Sequence, residues 1–216
     1  MNSSLTMRCA TSLFMLAGLL GGGVTSAVAQ QEAPRAVAAN AAPPMNRSCH
    51  KAFRKDLKQL HNEGAAIWAY YQGWRKSVKN DYDLLLKALA DPDQGGIPAL
   101  EESFAASVSL VRPIVAKQRD RAYKHLNNFE ASFQDKDTGC LRTKNGRKAL
   151  ADGVRYWRAA LGDIFTAHGY LFAANLAMQT AQAAEAAKKM QDAKLAMSTV
   201  EENIDNADRR FDTLLN

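Results

Sequence analysis

Residues 46–90 read NRSCHKAFRKDLKQLHNEGAAIWAYYQGWRKSVKNDYDLLLKALA, and their apolar side chains recur at steps of three and four residues. This spacing places them on one face of an α-helix, with lysines and arginines on the other faces. At 1.5 Å per residue such a helix is roughly 65 Å long. The stretch therefore predicts one long amphipathic helix. Its expected core positions are Phe53, Leu57, Leu60, Ile67, Tyr71, Trp74, Val78 and Leu85.

A break and a second apolar stripe follow this helix. Residues 91–96 combine Pro92 with a pair of glycines, which disfavours helix. The apolar spacing then resumes and continues in phase through Pro113, so we expect this proline to bend the second helix without ending it. The expected core positions of the second helix are Phe104, Val108, Val111, Val115, Ala122, Leu126, Phe129 and Phe133.

The last third of the chain carries a heptad pattern. From about Gly146 a third stripe begins, with core positions Val154, Trp157, Leu161, Ile164, His168 and Leu171. Farther on, intervals of seven separate Leu176, Ala183, Met190, Met197, Ile204 and Phe211. A second set lies three residues after each of these, at Gln179, Ala186, Ala193, Val200, Ala207 and Leu214. A seam repeated this often is typical of close, coiled-coil-like helix packing.

The number of helices in the region 146–216 stays open. The absence of Gly and Pro after Gly169 favours one long helix that changes partners, whereas matched helix lengths favour a turn and a fourth helix. The predicted fold class is all-α, an elongated antiparallel helical bundle of three long helices or four, with a coiled-coil-like C-terminal seam. An apolar seam must be buried against something, so we also expect a possible homo-oligomer through residues 176–214.

The N-terminus has the three-part pattern of a secretory signal peptide. Arg8 precedes an apolar stretch, and an Ala27-Val28-Ala29 cleavage motif follows. We therefore expect a signal peptide at 1–29, a flexible Ala/Pro/Gln-rich leader at 30–45 and a single helical-bundle domain at 46–216. The apolar stretch is too short for a stable membrane span, so the expected location is periplasmic or secreted, not transmembrane after cleavage.

The cysteines provide a test of this topology. Cleavage would remove Cys9 and leave Cys49, which begins the first helix, and Cys140, which follows the second. These two points meet at one end of an antiparallel hairpin. In an oxidising compartment we expect a disulfide between them, which would stabilise the fold by about 4 to 5 kcal/mol on a chain-entropy estimate.

The sequence carries few signs of catalysis. Its 216 residues have a formal charge of +6, too modest to imply nucleic acid as a partner. The Glu-x-x-His pair of di-iron bundles, the haem-attachment motif, the zinc-protease motif and the phosphate-binding loop do not occur. We expect no catalytic residues, no cofactor and no metal. His125 and His168 lie close to apolar stripes and are the candidates for the alternative, a metal- or haem-binding bundle.

An aromatic group and two basic clusters are the candidates for binding. Tyr71 and Trp74 continue the core stripe, while Trp68 and Tyr70 flank it and either widen the buried face or stay exposed for a partner. The basic clusters converge on the disulfide end if the hairpin is antiparallel. They consist of Arg47, Lys51, Arg54, Lys55 and Lys58 in the first helix and of Arg142, Lys144, Arg147 and Lys148 before and within the third.

Cations at a helix N-terminus oppose the helix dipole, so this placement suggests an anionic partner. The alternative is neutralisation by the acidic residues Glu201, Glu202, Asp205, Asp208 and Asp212, if a fourth helix returns to that end. The predicted function is that of an exported non-enzymatic protein, a binding, scaffold or assembly component of the cell envelope. Its partner would be a protein or an anionic envelope surface, and a periplasmic holdase-type chaperone is the other alternative.

Overall fold

The computed structural model describes residues 45–91, 96–134 and 139–216. These residues contain no β-strand, which confirms the predicted all-α class. The predicted signal peptide and residues 30–44 of the predicted leader lie outside the described residues. Five helices lie within them: α1 (Arg47–Ala90), α2 (Ile97–Gln134), α3 (Lys144–Gln179), α4 (Ala183–Ala196) and α5 (Val200–Leu215).

The helices form an antiparallel bundle in which α4 and α5 together make the fourth member. Phe53, near the start of α1, packs against Phe129 and Phe133 near the end of α2, at ring-centroid distances of 5.1 and 5.0 Å. Phe211 of α5 joins the same group, 5.8 Å from Phe53. Helix α3 packs against each of the others, whereas α1 and α4 touch only sparsely. The fourth member therefore runs back along α3 toward the disulfide end.

Met45 is the first described residue of the bundle. This residue is fully buried and forms an isolated backbone bridge with Leu141. The amide of Asn46 donates a hydrogen bond to the Cys140 carbonyl at 2.8 Å, and the Asn46 side chain caps α1 by accepting from the Ser48 amide. Helix α3 begins in a similar way, since Thr143 Oγ1 accepts a 2.9 Å hydrogen bond from the Gly146 amide. These contacts hold the starts of α1 and α3 at one end of the bundle.

The chain turns after α3, so the continuous third helix favoured by the lack of Gly and Pro is not formed. Ala181 adopts a left-handed conformation with φ of 54°. Its amide donates to the Met178 carbonyl, and the Gln182 amide donates to the Ala177 carbonyl at 2.8 Å. This pair of hydrogen bonds is a Schellman motif, which usually has glycine in the left-handed position. The sequence left this turn open, because an alanine occupies that position here.

A second interruption separates α4 from α5 at residues 197–199. Asp163 of α3 fixes it, because its Oδ2 accepts hydrogen bonds from Thr199 Oγ1 at 2.7 Å and from Asn203 Nδ2 at 3.2 Å. Glu201 and Glu202 lie in the first turn of α5, where negative charge favours the helix dipole.

The predicted heptad seam is right from residue 183 onward and wrong before it. Leu176 belongs to α3 and its side chain is 61% exposed, so the first predicted repeat does not join the seam. The later repeats pack into the bundle, mainly against α3. Self-association through residues 176–214 stays a prediction. The fully buried positions of the seam are Ala186, Ala193, Val200, Ala207, Phe211 and Leu214.

The predicted core agrees closely with the observed one. The eight positions predicted for α1 are its buried residues, and the six predicted for α3 are buried as well. In α2, six of the eight predicted positions are buried, while Val108 and Val111 are only half-buried. Helix α2 continues through Pro113, as expected. Within the described residues, we find no helix that is both long enough and apolar enough to cross a membrane.

Candidate binding surfaces

The structure gathers the predicted basic residues at the disulfide end of the bundle. Cys49 and Cys140 form a disulfide with a Cα–Cα distance of 5.7 Å, which ties the start of α1 to the segment before α3. We call the resulting surface the basic pole. All nine of its side chains are exposed: Arg47, Lys51, Arg54, Lys55, Lys58, Arg142, Lys144, Arg147 and Lys148.

The cations of α1 form a continuous stripe on this pole. Their spacing of three and four residues keeps them on one side of the helix, opposite the buried Phe53 and Leu57. The α3 cations surround the start of that helix, where Arg147 donates a hydrogen bond to the Leu141 carbonyl at 3.2 Å. Both groups therefore lie beside helix N-termini, where positive charge is electrostatically unfavourable.

Ion pairing neutralises little of the basic pole. Lys148 donates a 2.6 Å hydrogen bond to Asp152, which is the main reason why the pKa of that carboxyl is lowered. The other eight cations form no ion pair with another described residue. The pole thus presents a group of like charges that are balanced only at longer range.

Helix α5 brings its acidic residues back toward this end without pairing them to the pole. Asp208 binds His61, with 2.8 Å between Oδ1 and Nε2, while the other four carboxylates of the set are exposed. None of the five forms an ion pair with a cation of the basic pole. The alternative of direct internal neutralisation is therefore not observed among the described residues.

A groove between α1 and α4 is a second candidate surface, and the sequence did not reveal it. Its volume is about 460 Å³. Leu171 of α3 lies at its bottom, with Ala187 and Met190 of α4 beside it. The cations around it are Arg75, Lys76 and Lys79 of α1 and Lys194 of α4. The heptad pattern predicts that Met190 lies in the seam. It does not give the distance between α4 and α1, which opens the groove.

The two candidate ligand histidines do not meet. His125 lies between α1 and α2, where its Nδ1 is 2.7 Å from Glu63 Oε2; Arg121 also binds Glu63 at 2.7 Å. His168 is fully buried on α3. No group of three or more His, Cys, Asp and Glu side chains suited to a metal ion occurs among the described residues.

His168 is enclosed by aromatic rings. Its ring centroid lies 5.2 Å from that of Tyr71 and 6.0 Å from that of Trp74, with Tyr70 and Phe165 nearby. Nδ1 donates a 3.0 Å hydrogen bond to the Ile164 carbonyl, so the neutral ring keeps its proton there. Burial lowers the pKa of His168, and this hydrogen bond opposes the shift. The arrangement is that of a packed neutral histidine in the core.

The remaining aromatic candidates and two acidic residues of α3 take structural places. Trp68 and Tyr70 are half-buried and pack at the edge of the core beside Tyr71 and His168, so they widen the buried face. Asp152 binds Lys148 and Arg155, and Asp163 binds the start of α5. Comparison with protein-family models, with curated proteins and with solved structures finds no match for this chain.

Proposed function

We propose that the protein is an exported, non-enzymatic binding component of the cell envelope, and that its basic pole docks on an anionic surface. The observation that carries this proposal is the set of exposed cations that form no ion pairs at two helix N-termini joined by a disulfide. An anionic surface would relieve the repulsion among them. Each lysine or arginine close to such a surface contributes about 1 kcal/mol to binding.

Vesicle binding tests the docking. The protein is expected to bind vesicles rich in phosphatidylglycerol, to ignore phosphatidylcholine vesicles, and to dissociate as salt screens the charges. A double variant, Lys51→Gln with Lys55→Gln, should weaken binding roughly 30-fold, at about 1 kcal/mol per cation.

The matched control removes two exposed cations far along the bundle, Arg112→Gln with Lys117→Gln, at the same change in net charge. Binding in this control should change far less than in the pole variant. Equal losses in the two variants would mean that net charge alone attracts the protein, and the basic pole would lose its role.

Export is tested separately, because it rests on the signal-peptide pattern alone. Protein recovered from outside the cytoplasm should begin at Gln30 on N-terminal sequencing. Recovery of the intact chain from the cytoplasm would contradict export, whatever the outcome of the vesicle assay.

The second candidate function, a holdase-type chaperone, is favoured by one observation. Leu84, Leu86 and Leu89, near the end of α1, have exposed fractions between 38% and 46%. Leu86 and Leu89 are three residues apart on one face of the helix and offer an apolar contact to an unfolded chain. The discriminating assay is suppression of the aggregation of an unfolded outer-membrane protein at stoichiometric ratio, with Leu86→Gln and Leu89→Gln expected to abolish it if this function is correct.

A further inference from the structure

The α1–α4 groove combines an apolar bottom with a cationic edge. The partly buried Tyr82, Ala187 and Met190 supply the apolar part above the buried Leu171. On either side, the edge carries arginine or lysine, and the side chains that line the groove include no carboxylate. A site of this composition suits a molecule with an apolar body and a negative group.

The charges around the groove are largely free. Lys79 is paired with Asp83 at 2.6 Å. Arg75, Lys76 and Lys194 form no ion pair with another described residue. Arg75 of α1 and Lys194 of α4 stand on opposite sides of the groove, so an anion bound between them would be attracted by both.

The dimensions favour a slender ligand. The α1 residues around the groove run from Gln72 to Tyr82, which is about 15 Å along the helix. The groove provides about 460 Å³, which is within the range of small-molecule sites. An extended acyl chain fits this length and this volume.

We propose that this groove binds a fatty acid, with its chain over Ala187 and Met190 and its carboxylate against Arg75 and Lys194. The site is separate from the basic pole and independent of it. The chain supplies apolar burial, and the carboxylate supplies charge-assisted hydrogen bonds that a neutral alcohol lacks.

The test is calorimetric titration of the purified full chain, freed of bound lipid, with laurate below its micelle concentration. Laurate should bind at least tenfold more tightly than dodecanol. Affinity should rise roughly tenfold per two added methylenes along a series from octanoate to laurate. The double variant Arg75→Gln with Lys194→Gln should weaken laurate binding at least tenfold.

Two further variants keep the result interpretable. Ala187→Phe fills the bottom of the groove and should weaken laurate and dodecanol alike, while Arg112→Gln with Lys117→Gln should leave both affinities unchanged. Thermal melts check that every variant is folded, and vesicle binding through the basic pole should persist in the groove variants. Absence of laurate binding, or equal laurate affinity in the parent, charge-removed and filled variants, would overturn the proposal.

Discussion

Gly153 shows how a single missing methyl group sets the packing of α3 against α5. A Cβ atom built on this residue would lie 2.7 Å from Cδ1 of Phe211, well inside van der Waals contact. Phe211 is itself held by Phe53 and Phe129 at ring distances of 5.8 and 5.4 Å, so it cannot swing away freely. The glycine therefore gives the fourth member of the bundle its close approach.

We predict that Gly153→Ala lowers the free energy of unfolding by about 1 to 3 kcal/mol, the usual cost of overpacking a core. The matched control is Gly169→Ala in the same helix, where the added Cβ meets nothing within 4 Å. That change should stabilise the protein by about 0.5 to 1 kcal/mol, because alanine favours helix. Urea denaturation measures both, and stabilisation by Gly153→Ala would refute the packing argument.

His168 makes stability depend on pH. Its pKa is lower in the folded state than its ordinary value of 6.5, so the unfolded chain binds the proton more readily. The stability that the neutral, buried His168 contributes is therefore complete above pH 6.5. It is lost as the pH falls toward the folded-state pKa. Phenylalanine fits the aromatic surroundings and cannot titrate.

We predict that His168→Phe reduces the loss of unfolding free energy between pH 7.5 and pH 5.5. Urea midpoints at the two pH values give the comparison, with a melt at pH 8 to show that the variant folds. An identical loss in the parent and in the variant would assign the pH dependence to other groups.

Among the elements, the turn between α3 and α4 carries strain that the sequence did not reveal. Ala181 holds the left-handed conformation at a cost of about 1 kcal/mol, which glycine would not incur. We predict that Ala181→Gly raises the free energy of unfolding by up to about 1 kcal/mol. The control Ala184→Gly, at an exposed position of α4, should lower it by a similar amount. Destabilisation by both changes would mean that the left-handed conformation of Ala181 costs the folded protein no free energy.

Periodicity predicted the elements well wherever one face decides burial. The α1 stripe was correct at every position because one face of the helix stays buried along its length, first in one hydrophobic cluster and then in a second. Periodicity could not locate the turn at residues 180–182, since the hydrogen bonds that form it involve backbone groups, which any residue supplies. It also extended the heptad back to Leu176, because a seven-residue interval does not show which helix a residue belongs to.

At the scale of the whole molecule, the disulfide is the covalent link between two helix starts. We predict that the double variant Cys49→Ser with Cys140→Ser loses about 4 to 5 kcal/mol of unfolding free energy, since the bond closes a loop across 91 positions. Dithiothreitol should produce a similar loss in the parent and none in the variant. If the free energy of unfolding stayed the same after complete reduction of the disulfide, the bond would add nothing to the stability of the fold.

The candidate sites were only partly predictable at this scale. Charge clustering located the basic pole, because the antiparallel hairpin and the two cysteines define one end of the bundle. The α1–α4 groove was not predictable, since it depends on how far α4 stands from α1 along residues such as Lys76 and Lys194. That separation is a property of the assembled helices.

The bond between Cys49 and Cys140 also determines how the protein would carry mechanical load. If the chain were pulled from residue 45 and residue 216, tension would pass through the sulfur bridge and bypass α2 and the part of α1 that follows Cys49. Only α3, α4 and α5 could then be drawn out. Cutting the bridge would release about 300 Å of additional extensible chain. An oxidised molecule held between two attachment points would therefore act as a short tether, and a reduced one as a long tether.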